Sequence, residues 1–213
     1  MKTLRNTLPL LLAAVFLAAC SSPSFKEEPS GEFAAEGLYP VRSTGFREVH
    51  ARRDAQLASY RAVMIEAMNA ADVHIVTTGG SGTLGRDWQM TPEREQALQA
   101  RWAAAAGRAF SAYEQSSDGE QVLRITSALT RVVQGMTSFT GGTAAGGSPG
   151  GSSASADIHV EFRLYDQASG RLLAVIRDDR SIPAQQWSRT AGAGIVSLFD
   201  SWAALLHTRV SGR

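Results

Sequence analysis

The sequence predicts an α/β domain of the α+β kind, a mostly antiparallel or mixed sheet with two amphipathic helices packed on one face. Three observations predict it. Ile158, Val160, Phe162 and Leu164 alternate with His159, Glu161, Arg163 and Tyr165, and after Asp166-Gln167-Ala168-Ser169-Gly170 a second extended run returns from Leu172 to Ile176. That is an antiparallel hairpin with one buried face. Leu98, Trp102, Ala105, Ala106, Ala109, Phe110 and Tyr113 recur at three- and four-residue spacing, as do Ile195, Leu198, Phe199, Trp202, Leu205 and Leu206. Each set is the apolar stripe of a helix lying on a core.

The remaining elements follow in chain order. Lys2 and Arg5 precede an apolar run from Leu8 to Ala19 that ends in small residues before Cys20, so residues 1–19 read as a signal peptide. The run is shorter than the roughly 18 to 20 residues that cross a bilayer as a helix. Residues 20–45 begin with Ser-, Pro- and charge-rich chain that cannot bury enough apolar area to order itself, and read as a flexible tether. The folded domain is expected over 46–213. Strands are expected near Tyr60–Ala67 and Val73–Val76, from their β-branched and aromatic residues. Thr91-Pro92-Glu93 supplies an N-cap, a proline in the first helical turn and an acid beside the positive helix end. Ser116-Ser117-Asp118-Gly119 breaks that helix, and Val122–Val132 is extended with partial alternation. Residues 135–156 are dominated by Gly, Ser, Thr and Ala and read as a mobile loop.

Composition narrows the function classes. The chain has 21 basic and 20 acidic side chains; removing Met1–Ala19 takes away Lys2 and Arg5 and leaves 19 against 20. A chain so near neutrality offers no strongly basic surface, and nucleic acid is not an expected partner. Cys20 is the single cysteine, so packing without disulfides must hold the domain.

Candidate chemistry is sparse. Gly80-Ser81-Gly82-Thr83-Leu84-Gly85 spells G-x-G-x-x-G after an expected strand, but the helix signal begins only at Thr91, too late to hold a pyrophosphate at a helix N-terminus. Arg86 and Asp87 stand where a P-loop needs Lys and Ser or Thr, and Thr83 stands where a nucleophile elbow needs glycine. His50, His74, His159 and His207 lie far apart, with no pair at helical ligand spacing. His159, Glu161 and Arg163 share one strand face by alternation and suit a polar patch or small charge network. Asp178-Asp179-Arg180 reads as a solvated turn, since adjacent acids in extended chain point to opposite sides. Trp102 and Trp202 fall on helix stripes; Trp88 and Trp187 lie in less regular segments and are expected to be freer to be exposed. We expect no catalytic residue, metal site or cofactor.

Two resemblances refine this. Leu17-Ala18-Ala19-Cys20 resembles the lipobox of bacterial lipoproteins, which implies cleavage before Cys20, diacylglycerol on its sulfur and a further acyl chain on its amine. Ser21, by the same resemblance, implies sorting to the outer membrane. Ala156-Asp157-Ile158-His159-Val160-Glu161-Phe162-Arg163-Leu164-Tyr165-Asp166-Gln167-Ala168-Ser169-Gly170-Arg171-Leu172-Leu173-Ala174, with Asp200-Ser201-Trp202-Ala203 and Tyr60-Arg61-Ala62-Val63-Met64-Ile65, resembles the lipoproteins of domain-of-unknown-function family thirty-three-thirteen. It implies an envelope lipoprotein and supplies no activity. The expectation is therefore a non-enzymatic protein, lipid-anchored through Cys20 on the periplasmic face of the outer membrane, with a structural or binding role toward an envelope protein or cell-wall partner. The alternatives are an accessory subunit of an envelope transport or assembly system, or a cell-wall or lipid hydrolase using a serine of the Gly-rich loops.

Overall fold

The computed structural model describes residues 24–29, 31–78, 89–137, 153–189 and 192–212. Cys20, Ser21, Gly80–Gly85, Trp88 and residues 138–152 lie outside the described residues.

Three long strands form the trunk: β7 (Val122–Thr137), β8 (Ser153–Asp166) and β9 (Leu172–Pro183). They pair as an antiparallel meander, with Ser127 opposite Phe162 and Phe162 opposite Ile176. Beyond β9 the sheet continues antiparallel through β3 (Glu48–Ala51), β2 (Tyr39–Arg42) and the two-residue β1 (Ser24–Phe25). Beyond β7 lie β4 (Ala62–Ile65) and β5 (His74–Thr78), both parallel to it and placed end to end along it. An isolated bridge from Asn69 to Ala128 spans the gap between them. The short β6 (Glu114–Gln115) runs parallel outside β4. A parallel pair needs a long crossover, and α1 (Pro92–Ala109) supplies it between β5 and β7.

The helices lie on one side of this sheet, as the α+β reading predicts. Thr91 caps α1 by accepting from the Arg94 backbone N–H at 3.3 Å. α3 (Ala193–Ser211) packs beside α1 and ends on Gly212, whose φ of 70° is the left-handed conformation that closes a helix without a Cβ penalty. A short α2 (Ala184–Ser188) joins β9 toward α3. Where helices meet sheet, Trp102, Phe162, Phe199 and Trp202 form one aromatic cluster, with Trp102 and Phe162 centroids 5.3 Å apart and Phe199 and Trp202 6.0 Å apart. Such rings supply the largest apolar areas available for burial.

The partial alternation of residues 122–132 has a physical cause. The register shifts between Leu129 and Arg131, so Thr130 is an extra residue and Leu129 and Val132 both reach the core three positions apart.

Four expectations are corrected. Residues 31–45 are folded: Phe33 and Leu38 are buried against Val175, and Tyr39–Arg42 is a strand. Their apolar residues find a surface that only the assembled sheet provides. The Gly-rich segment starts later and ends earlier than 135–156, because residues 135–137 and 153–156 are paired strand in β7 and β8. Trp187 has no exposed surface, since α2 folds it back onto β8. Asp178 belongs to a strand and is only 5% exposed.

Asp178 faces the helices, where burying a carboxylate without donors would be costly. Three donors meet it: Trp202 Nε1 at 2.8 Å, Arg180 Nε at 2.7 Å and the Arg47 backbone N–H at 3.0 Å. They come from α3, from β9 and from the entry to β3. We predict that Asp178→Ala lowers unfolding free energy by about 2–4 kcal/mol, because it strands buried donors; Asp178→Asn should cost less, since its amide oxygen still accepts. Urea unfolding checks both. Thr91→Ala should cost about 1 kcal/mol by the same measurement.

Candidate binding face of the sheet

Alternation that buries Ile158, Val160, Phe162 and Leu164 under the helices sends their neighbours to the opposite face. That face has two halves. Over β3 and β9 it is roofed by the chain around Phe33 and Leu38, which packs on Val175 and Leu172. Over β8, β7 and β5 no described residue covers it.

A charge network marks the boundary. The Glu161 carboxylate accepts from Arg163 Nε and Arg177 Nε, each at 2.7 Å. The other two nitrogens of Arg177 reach both oxygens of Glu32, at 2.7 and 2.8 Å, so the guanidinium fork straps the roof to the sheet. Burial by itself raises the Glu161 pKa, but the two guanidiniums overcome it and hold the carboxyl below the ordinary range. Arg177 is raised, first by Glu32 and then by Glu161. Under the roof, His50 is buried against Phe33 with ring centroids 5.1 Å apart, and its Nε2 lies 2.5 Å from Glu48 Oε1. Glu48 and His50 also line a cleft of about 1040 Å³ between the N-terminal segment and β2–β3.

The open half carries a row across three strands. His74 of β5 pairs in register with Arg131 of β7, and Arg131 with His159 of β8. His74 and Arg131 are exposed and His159 partly so. Arg131 forms no ion pair among the described residues, whereas Arg163 and Arg177 are both committed. Asp179 and Asp157, nearby on this face, are engaged with Arg47 at 2.6 Å and with Ser181. Farther along, Arg124 stacks on Tyr165, 4.5 Å from the ring centroid. The row can attract and hydrogen-bond acid groups.

The sequence-derived candidates distribute as follows. His159, Glu161 and Arg163 share this face as expected, and Glu161 and Arg163 are directly bonded. His50 is under the roof, while His207 lies on α3 against Phe110 and Tyr113 at 5.4 and 5.9 Å. The histidines therefore do not converge. Among the described residues no group of three His, Cys, Asp or Glu side chains is placed to hold a metal ion, and no histidine hydrogen-bonds a serine hydroxyl. No helix among them is long and apolar enough to cross a membrane. Sequence reasoning missed Arg131, and it weighed His74 without placing it beside Arg131, a pairing that only strand register reveals.

The fold and this face define an α+β domain with one helix-covered and one partly open, charged sheet face. No protein-family model matches the chain, and no curated protein matches it. Among solved structures it is similar to the PelC dodecamer from Paraburkholderia phytofirmans, at 13% identity over 71% of this chain and 96% of that one, with a TM-score of 0.36. It is similar to protein XCC0632 from Xanthomonas campestris, assigned to domain-of-unknown-function family 330, at 11% identity over 73% and 91%, with a TM-score of 0.40. A third likeness is to hypothetical protein CT253 from Chlamydia trachomatis, at 15% identity over 71% and 100%, with a TM-score of 0.36. Likenesses this distant carry nothing about activity.

The lowered Glu161 pKa has a signed consequence. Its contribution to stability is complete above the ordinary carboxylate pKa of about 4.3 and is lost as pH falls through the depressed folded value. Glu161→Gln should therefore cost about 1–2 kcal/mol at pH 7 and flatten the acid limb of the stability profile below about pH 4. Urea unfolding from pH 7 to pH 2 reads both.

Proposed function

We propose that this protein is a lipid-anchored envelope lipoprotein on the periplasmic face of the outer membrane, with a non-enzymatic binding role. One observation carries the anchor: the basic start and apolar run end in Leu17-Ala18-Ala19-Cys20, with no other cysteine in the chain. An exposed thiol in an oxidising compartment is a liability, and lipidation removes it. Ser21 supports outer-membrane sorting.

The binding role is assigned to the open half of the sheet, with the His74–Arg131–His159 row meeting acid groups of an envelope partner. A guanidinium with no ion pair among the described residues, set between two imidazoles, favours carboxylate or phosphate ligands, and Arg offers them a bidentate fork.

Two experiments check this. Cys20→Ser should abolish palmitate incorporation and leave residues 1–19 uncleaved, seen as a heavier precursor by mass spectrometry; palmitate incorporation and cleavage that both persist would count against the anchor. Arg131→Glu should remove crosslinks formed in living cells from a photoreactive residue at Thr126, without lowering thermal stability. Crosslinks that persist unchanged would exclude the open face as the partner site.

A further inference from the structure

The described chain is fixed to the domain from Ser24 onward, four residues after Cys20. Ser24 and Phe25 pair with Arg42 and Val41, and the Lys26 backbone N–H donates to the Pro40 carbonyl at 2.9 Å. Arg53, its guanidinium 4.3 Å from the Tyr39 ring centroid, donates to the carbonyls of Lys26 and Glu27 at 2.8 and 2.9 Å. Seven residues after the cysteine are thus enough to reach a backbone held by strand pairing and an arginine clamp.

Covalent reach then limits the standoff. Four Cα steps separate Cys20 from Ser24, a span of at most about 14 Å fully extended. A lipid on Cys20 places β1 at the headgroups, and a domain lifted clear on a long tether is excluded. What β1 presents there is specific. Phe25 is 42% exposed and is the exposed large hydrophobic side chain among the described residues. By alternation and register, Lys26, next along the strand, and Arg42, opposite Ser24, project from the other face of the β1–β2 ribbon, both exposed and neither in an ion pair among the described residues. A ribbon with an aromatic ring on one face and long cationic side chains on the other suits an edge-on approach to the bilayer, where the ring enters the acyl boundary and the cations reach round to phosphate. Glu27 and Glu28 follow directly and line the cleft beside this edge.

We infer that the β1–β2 edge is a second membrane contact: Phe25 inserts into the phospholipid interface, with Lys26 and Arg42 on headgroup phosphates. The protein then rests on the bilayer by one sheet edge, and the open sheet face stands out from the membrane plane instead of being pressed against it. This inference rests on lipidation at Cys20.

The test uses full-length mature protein purified from membranes and reconstituted in phosphatidylethanolamine–phosphatidylglycerol vesicles, with and without bromine on the acyl chains. Phe25→Trp adds an indole whose emission is isolated by subtracting wild type; that emission should fall at least about two-fold in brominated vesicles. Equal emission in both vesicles, with the protein floating with them, overturns the inference and leaves the anchor intact. Failure of wild type to float overturns the anchor reading and this inference together. A second readout needs no substitution at the edge: trypsin should cut after Lys26 several-fold more slowly in vesicle-bound wild type than in a lipid-free chain that begins at Ser21. Equal rates again overturn the contact.

Discussion

The carboxylate of Asp178 is the constraint on which the arrangement turns. It is buried between sheet and helix, and its three donors arrive from α3, β9 and the chain entering β3. The next residue completes the lock from the other side, because Asp179 takes the guanidinium of Arg47, whose backbone N–H Asp178 holds. One arginine is thus gripped on both faces of the sheet. Through it β3 is seated on β9, and β2 and β1 follow by pairing. Buried ion pairs often contribute little net stability, but their geometry permits few alternatives.

That seating decides the division of the outer face. With β3 in place, Phe33 and Leu38 bury against Val175, and Glu32 meets Arg177. The roof therefore depends on a network whose centre, Glu161, belongs to the hairpin. Beyond the network the face is open among the described residues, and Arg131 stands there without the carboxylate partners its neighbours have. Polar groups satisfied by one another read as structure.

The parts of the fold legible in sequence were those where a local period meets a buried face. Ile158 to Leu164, the stripe from Leu98 to Tyr113 and the cap at Thr91 all carry their instructions within a few residues. β2 and β3 were not legible, because Pro40, Arg42, Glu48 and His50 interrupt them, whereas the equally short β4 carries an unbroken apolar run from Ala62 to Ile65. Asp178 looked like a turn residue for the same reason: its neighbours Asp179 and Arg180 make the segment look solvated, and only the donors across the fold allow the carboxylate inside. Trp187 was misread because one turn of helix has no period to show. Of the candidate face, His159, Glu161 and Arg163 were visible by alternation, whereas His74 and Arg131 join them only through register.

By itself the sequence determined the fold class, the two helices, the central hairpin, the lack of disulfides and the signal-like start ending at Cys20. Each is written in a short span, in the spacing or chemistry of neighbouring residues. The tertiary structure alone decided which face of the sheet is open, where Phe33 and Leu38 go and how an acid survives in the core. Those outcomes depend on pairs separated by more than a hundred residues, such as Arg47 with Asp178 and Glu32 with Arg177, and no local pattern encodes a partner at that distance.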